Sequence, residues 1–435
     1  MYTVVPLSNV KTRLSIPPDK SISHRALMLA SIAQGTTTIT PFIPSNDTAA
    51  TLACLKKLGV TMHQVGRTIT ITGQGIYYNK NKPVTLNAQE SGTTLRILSG
   101  ILAGQCFPVT FASARSLAKR PMSRITVPLR AMGADIHGRL HRAQEYPPLS
   151  ILPAAGLVGI SYRLPIPSAQ IKSAIMLAAL YAHGETKIYE PVPCRDHTER
   201  MLTQFAAGIQ RRDKTIIVRP VIKLKSPGKL FIPSDFSSAA FFIILGLILK
   251  NTRITLTDIN LNPTRCGLLA VLRRMGARIS THTRRATGEP YGDITVQSSS
   301  LRATRIRARE IPMLVDEVPI LAVAASFARG RTRIEGIGEL RVKETDRIHS
   351  MAYNLRRGGV GVRVQKTRNG KRTDWCMEIR GATNFKSTSF KNFNDHRTAM
   401  SMIVFAKALG TPCTIDSVSC IQKSFPGFVS LIESL

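Results

Sequence analysis

Several short segments put cations, hydroxyls and carboxylates directly ahead of apolar runs. Lys20, Ser21 and Arg25 fall in KSISHR, Ser91, Gly92, Thr93 and Arg96 in SGTTLR, and Ser168, Ala169, Gln170 and Lys172 in PSAQIK. Lys119, Arg120 and Arg124 follow in KRPMSR, Arg195 and His197 in CRDH, and Asp316 with Glu317 in DEVP. Lys343, Glu344 and Arg347 share KETDR, His396 and Arg397 share DHR, and Lys423 precedes SFPGF. Each segment before the last reads as a helix opening, where unpaired N–H groups and the positive dipole end bind phosphate or carboxylate. A single opening of this kind says little, because Ser, Thr and Asp are ordinary N-caps. Many of them converging predicts a cleft lined by helix N-termini and cations, suited to small molecules with several anionic groups. No His, Cys or Asp cluster has metal-ligand spacing, so no metal site is expected.

The elements that must position these residues repeat six times. Each copy is a polar opening, an apolar helical run, a break and a Thr- or Val-rich strand, with breaks at Gly35, Gly104, Gly184, Lys250, Gly330 and Gly410. A second helical run follows each strand, in words such as ATLACLKKLGV and LLAVLRRMGARI. The unit is strand, helix, strand, helix, strand, and repetition of one such unit decides architecture ahead of local propensity. Six units grouped as three plus three predict an α/β chain of two globules.

Composition narrows the class. Hydrophobic residues at 43% with 20% charged describe a globular, enzyme-sized chain. Seven cysteines without a CxxC pair suit reduced, buried thiols in the cytoplasm. The N-terminal stretch lacks the apolar core of a signal peptide. The most apolar run, Ala239 to Leu249, is shorter than the ~20 residues a bilayer needs, so no membrane partner is expected. The net charge of +34 would attract polyanions. That charge is nevertheless spread over all six repeats, and 9 Tyr, 15 Phe and 1 Trp offer few stacking platforms, which argues against specific nucleic-acid binding.

PPDKSISHRAL, ESGTTLRILSGILAG, KRPMSR, PSAQIKSAIMLA, CRDHTERML, LNPTRCGLL, DEVPILAVAA, ELRVKETDRI, NDHRTAMSM and KSFPGF resemble the successive motifs of the 5-enolpyruvylshikimate-3-phosphate synthase family, in the family's order. The resemblance implies two inside-out α/β barrels, each of three βαβαββ-like repeats. One would span 18–230 and the other 1–17 with 231–435, with crossover hinges near 15–18 and 230–233. It implies transfer of the enolpyruvyl group of phosphoenolpyruvate to the 5-hydroxyl of shikimate 3-phosphate, with release of phosphate, by addition and elimination through a tetrahedral intermediate. Carried over by position, Lys20, Ser21, Arg25, Ser168, Ala169, Gln170, Arg195, Asp316 and Lys343 would bind shikimate 3-phosphate. Lys20, Gly92, Arg120, Gln170, Arg347, Arg397 and Lys423 would bind phosphoenolpyruvate. The two small anionic substrates would be the only partners of a cytoplasmic monomer that needs no cofactor.

For the chemical steps, Asp316 would take the proton of the 5-hydroxyl, Glu344 would serve the methylene carbon, and Lys20, pushed toward its neutral amine by neighbouring arginines, would assist. Glu90 stands where the family commonly has Asn, an added negative charge beside the presumed phosphoenolpyruvate site. The plain alternatives make Asp316 an N-cap, Glu344 and Arg347 a surface i, i+3 pair, and His24 and His197 structural hydrogen-bond partners. His396 is a weaker site candidate. Rival functions are a UDP-N-acetylglucosamine enolpyruvyl transferase, whose usual loop Cys is missing from Ala112 to Arg120, an RNA 3′-phosphate cyclase, and a nonenzymatic polyanion-binding protein.

Overall fold

A computed structural model describes residues 1–284, 288–369 and 372–435. Twelve α-helices occur among them, in six pairs. They are α1 (Lys20–Ile32), α2 (Asn46–Lys57), α3 (Gly92–Leu102), α4 (Ser123–Ala131), α5 (Ala169–Ala179), α6 (His197–Gln204), α7 (Phe236–Ile248), α8 (Gly267–Arg274), α9 (Val318–Ser326), α10 (Arg347–Arg357), α11 (His396–Lys407) and α12 (Phe428–Glu433).

The two members of a pair differ in amphipathicity for a reason visible in their residues. α7, FSSAAFFIILGLI, is apolar on all sides and buries Phe236 through Leu247. A helix of that kind is stable only inside a core. α8, GLLAVLRR, buries Leu268, Leu269, Val271 and Leu272 and ends in Arg273 and Arg274, cations at the negative end of the helix dipole. The central helices α7, α9 and α11 pack on one another, as do α3 with α1 and α5. α3 and α5 approach so closely that a Cβ on Gly100 would stand 2.2 Å from the carbonyl oxygen of Ala174.

Each pair carries a small sheet. In the second repeat the order is Val84–Asn87, Val109–Ala112, Gln144–Leu152, Asp135–His141, the first two strands parallel and the rest antiparallel. Five such four-stranded sheets are present among the described residues. The strand, helix, strand, helix, strand unit read from the sequence is thus corrected to βαβαββ in these five, because the last strand folds back as a hairpin. In the sixth repeat the chain runs into α12 instead, and its three-stranded sheet takes Tyr2–Val4 against Cys413–Ile415.

The chain forms two compact units: Pro18–Ile232 with Glu289 in one, and Met1–Pro17 with most of the chain from Pro233 onward in the other. Each has its own hydrophobic core. The opening strands of the first and fourth repeats are exchanged. Lys11–Ser15 runs toward α1 yet pairs in parallel with Arg253–Asn260, placing Leu14 opposite Leu256. Lys229–Phe231 runs toward α7 yet pairs with Thr36–Thr40, placing Leu230 opposite Ile39.

Candidate active site

In the unit built on Pro18–Ile232, the first turns of five helices are tied together by side chains. Asp19 caps α1, accepting from the Ile22 amide at 3.0 Å, Ser91 caps α3 from Thr94 at 3.2 Å, and Ser168 caps α5 from Ile171 at 3.5 Å. Lys20, at the start of α1, sets its ammonium 2.9 Å from Asp47 in the first turn of α2. Arg25 is buried and donates to Thr198 at 2.7 Å, to Ser173 at 2.9 Å and to the Ser21 carbonyl at 2.9 Å, so it joins α1 to α5 and α6. Burial pulls its pKa down to about 10, with Glu199 and Asp19 opposing.

Arg96 of α3 donates at 2.9 Å to Oε1 of Gln170, whose amide nitrogen donates at 3.2 Å to Thr93, so the Gln170 amide is held in one orientation. At Gly92, the first residue of α3, an added Cβ would lie 3.2 Å from Arg96 Nη1 and 3.8 Å from Arg120 Nη1. Arg120 therefore stands against the opening of α3. Glu90 accepts a hydrogen bond from the hydroxyl of Ser116, which ties its charge to the loop leading to Arg120. Arg195 lies half-buried just ahead of α6, next to a loop anchored from below by buried Lys172, which meets Glu190 at 2.8 Å and Glu199 at 2.6 Å and donates to the Cys194 carbonyl at 3.3 Å.

The other unit repeats this scheme with more carboxylates. Arg347, the first residue of α10, is 2% exposed and faces three of them: Asp395 at 2.9 Å, Glu344 at 2.6 Å and Asp316 at 3.6 Å. Burial works against its charge, but Asp395, Glu344 and Asp316 outweigh burial and hold the guanidinium pKa above its ordinary range. Asp316 also stands 3.8 Å from Lys343, and its carbonyl accepts from Arg397 at 2.8 Å. Asp395 caps α11 through the amides of Arg397 and Thr398, and Asp235 caps α7 while meeting Arg265 at 3.1 Å. Arg265 lies 3.6 Å from buried Glu317, which also accepts from Ser237. Lys423 lies half-buried at the end of a short 3-10 turn, Ser419–Lys423.

Two of the plain alternatives fail and one expectation changes. Asp316 is not an N-cap: it sits in a 3-10 turn, Val315–Glu317, ahead of α9, whose cap position is Glu317. Glu344 and Arg347 are three residues apart, but their pair is buried on the arginine side and so is no surface pair. Lys20 meets a carboxylate where like charges were expected, and the neutralising surroundings belong to Lys343. There burial lowers the ammonium pKa, Asp316 and Glu339 opposing. His24 and His197 are buried hydrogen-bond partners, of Thr51 and Glu289, each at 2.7 Å. His396 begins α11 and is buried.

Asp47, Arg96, Asp395, Glu317 and Arg265 belong to these clusters and were not among the expected site residues. Arg96, Glu317 and Asp395 stand in the polar openings along the chain, whereas Asp47 and Arg265 read there as an ordinary helix charge and a loop charge. Among the described residues no group of three or more His, Cys, Asp or Glu side chains is placed to hold a metal ion, and no helix is long and apolar enough to cross a membrane. Each unit thus presents helix N-termini with Arg and Lys beside them, one with Asp19, Asp47 and Glu90 among them and one with Asp316, Glu344 and Asp395.

Residues 4–432 match the family model described as EPSP synthase (3-phosphoshikimate 1-carboxyvinyltransferase). Among curated relatives, a 3-phosphoshikimate 1-carboxyvinyltransferase of Desulforudis audaxviator is 44% identical, over 99% of this chain and 98% of its own. One from Petrotoga mobilis is 39% identical, again over 99% and 98%. Among solved structures, EPSP synthase from Acinetobacter baumannii superposes with a TM-score of 0.86 at 37% identity, covering 99% of this chain and 97% of that one. The enolpyruvyl transferase NikO from Streptomyces tendae, 16% identical with a TM-score of 0.75 over 100% and 96%, shares the fold.

Proposed function

Because the chain belongs to the EPSP synthase (3-phosphoshikimate 1-carboxyvinyltransferase) family, we propose the following division of labour among its residues. The reaction transfers the enolpyruvyl group of phosphoenolpyruvate to the 5-hydroxyl of shikimate 3-phosphate and releases inorganic phosphate, a step toward chorismate and the aromatic amino acids. The observation that carries this function is the match of family and relatives over essentially the whole chain.

Each substrate brings a phosphate and a carboxylate, roughly five to six negative charges together. Lys20, Ser21, Arg25, Ser168, Ala169, Gln170 and Arg195 take the phosphate and ring of shikimate 3-phosphate, with Asp316 and Lys343 on its hydroxyls. Gly92, Arg120, Gln170, Arg347, Arg397, Lys423 and Lys20 take phosphoenolpyruvate. In support, Arg120 stands at the opening of α3, and the Gln170 amide is pre-oriented by Arg96. Pre-oriented donors cost little reorganisation when charge develops.

Asp316 removes the proton of the 5-hydroxyl as its oxygen attacks C2 of phosphoenolpyruvate, and Glu344 delivers a proton to the methylene carbon. In the second step a proton leaves the new methyl group and phosphate departs with the C–O bond electrons. Lys343 and Lys20 serve the oxygens. The 2.6 Å contact with Arg347 supports this role for Glu344, since it fixes the carboxylate's direction. The lowered pKa of Lys343 supports a second proton carrier beside Asp316.

The residues assigned to the two substrates come from both units, and the chain crossings near 15–18 and 230–233 serve as hinges. The enzyme works as a cytoplasmic monomer. Phosphate release from phosphoenolpyruvate that requires shikimate 3-phosphate is the test. Release without it, or none with it, would refute the function, and either unit expressed alone should be inactive.

A further inference from the structure

A chain of four buried side chains runs from α1 to the N-cap of α3. His24 Nδ1 lies 2.7 Å from Thr51 Oγ1, Thr51 Oγ1 lies 2.8 Å from Thr94 Oγ1, and Thr94 Oγ1 lies 2.7 Å from Ser91 Oγ. Ser91 also accepts from the Thr94 amide at 3.2 Å, and it directly precedes Gly92.

Counting protons gives the chain a direction. A threonine hydroxyl has one hydrogen to donate. That of Thr94 goes to Ser91 Oγ or, at 3.4 Å, to the carbonyl of Asp47, and neither acceptor is Thr51. The bond between Thr51 and Thr94 is then made with the hydrogen of Thr51. With that hydrogen committed, Thr51 can only accept from His24, so Nδ1 of the imidazole carries hydrogen. Burial keeps this ring neutral, pulling its pKa down to about 3, which leaves Nε2 as the bare nitrogen.

We propose that His24, as the Nδ1–H tautomer, is a positioning residue for phosphoenolpyruvate: through Thr51 and Thr94 it holds Ser91 Oγ as a double acceptor, fixing the first turn of α3 and the amide of Gly92. The inference rests on the assignment of Gly92 to phosphoenolpyruvate made above. Its physical content is that three helices are joined by hydrogen bonds of one fixed sense. A polar link buried away from water is costly to break, so α3 keeps its place while substrate anions come and go. The Thr51–Thr94 bond joins α2 to α3, and α2 also carries Asp47, the partner of Lys20.

Nitrogen-15 NMR of histidine-labelled protein tests the direction, with the His24 signals assigned by their loss in His24→Asn. The expected spectrum has a protonated Nδ1 and a bare Nε2, and hydrogen on Nε2 alone would overturn the proposal without any kinetic measurement. Thr51→Val, which keeps the volume and removes the hydroxyl, should raise KM for phosphoenolpyruvate about five- to tenfold, while kcat and KM for shikimate 3-phosphate stay within about twofold. Thr51→Ser should restore the parent value, and so should His24→Asn, whose amide can still donate, whereas His24→Leu should behave like Thr51→Val. If Thr51→Val moved both KM values alike, or neither, the positioning role would be lost. If Gly92→Ala left KM for phosphoenolpyruvate unchanged, the substrate assignment beneath it would fail, and the tautomer result would stand by itself.

Discussion

Arg347 Nε donates to Asp395 Oδ2 at 2.9 Å, while the other oxygen of the same carboxylate accepts from the Arg397 and Thr398 amides at 2.8 and 3.2 Å. One buried aspartate therefore caps α11 and holds the guanidinium that opens α10. Arg347 and Arg397, both assigned to phosphoenolpyruvate, depend on it for their placement, although Asp395 itself meets no substrate in that assignment.

Asp395→Asn keeps an oxygen for the cap and removes the charge opposite Arg347. Breaking a buried ion pair from one side costs about 3–5 kcal/mol, and Glu344 and Asp316, which also face Arg347, should hold the loss near the lower end. Urea denaturation measures it. A variant as stable as the parent would mean that those two carboxylates suffice.

Glu344→Gln should fold normally, since the amide oxygen can still accept from Arg347. Turnover should fall about 10²- to 10⁴-fold, the usual worth of a positioned acid or base, with both KM values little changed. Full turnover would remove Glu344 from the mechanism and leave Lys343 and Lys20 as the groups to examine.

Gly92→Ala places a methyl group 3.2 Å from Arg96 Nη1, tighter than ordinary packing, and Arg96 cannot yield without letting go of Gln170. KM for phosphoenolpyruvate should rise about tenfold, equivalent to about 1.4 kcal/mol, with stability nearly unchanged. Steady-state kinetics at saturating shikimate 3-phosphate would show it, and an unchanged KM would separate Gly92 from the substrate.

His24 bears on acid stability. Its pKa falls from 6.5 to about 3 in the folded chain, chiefly through burial, which Lys20 and Arg25 reinforce and Asp47 opposes. Between those values the unfolded chain binds a proton that the folded chain does not, so stability rises with pH and is lost on acidification. The slope from this group is at most about 1.4 kcal/mol per pH unit. His24→Asn should flatten the curve of unfolding free energy between pH 6 and pH 4 by about that amount. Parallel curves for parent and variant would contradict the neutral buried imidazole.

Much of this architecture is legible along the chain. The six helix pairs follow from apolar runs punctuated by Gly35, Gly104, Gly184, Lys250, Gly330 and Gly410, because burial of an all-apolar helix and its termination are local properties. The order of the polar openings was enough to suggest the family and its two substrates. The type and approximate ends of most elements needed no knowledge of distant residues.

What the tertiary structure alone decided is which distant groups meet. Lys11–Ser15 and Lys229–Phe231 have similar strand chemistry, and nothing within either segment states that each pairs outside the repeat whose helix it precedes. Lys20 with Asp47, Arg96 with Gln170 and Arg347 with Asp395 are likewise through-space choices, across 27, 74 and 48 residues. Periodicity and capping act within a few residues, whereas the charge a buried cation faces is set by how whole helices pack. For that reason the residue types of the site could be read in advance, while the partners that orient them could not.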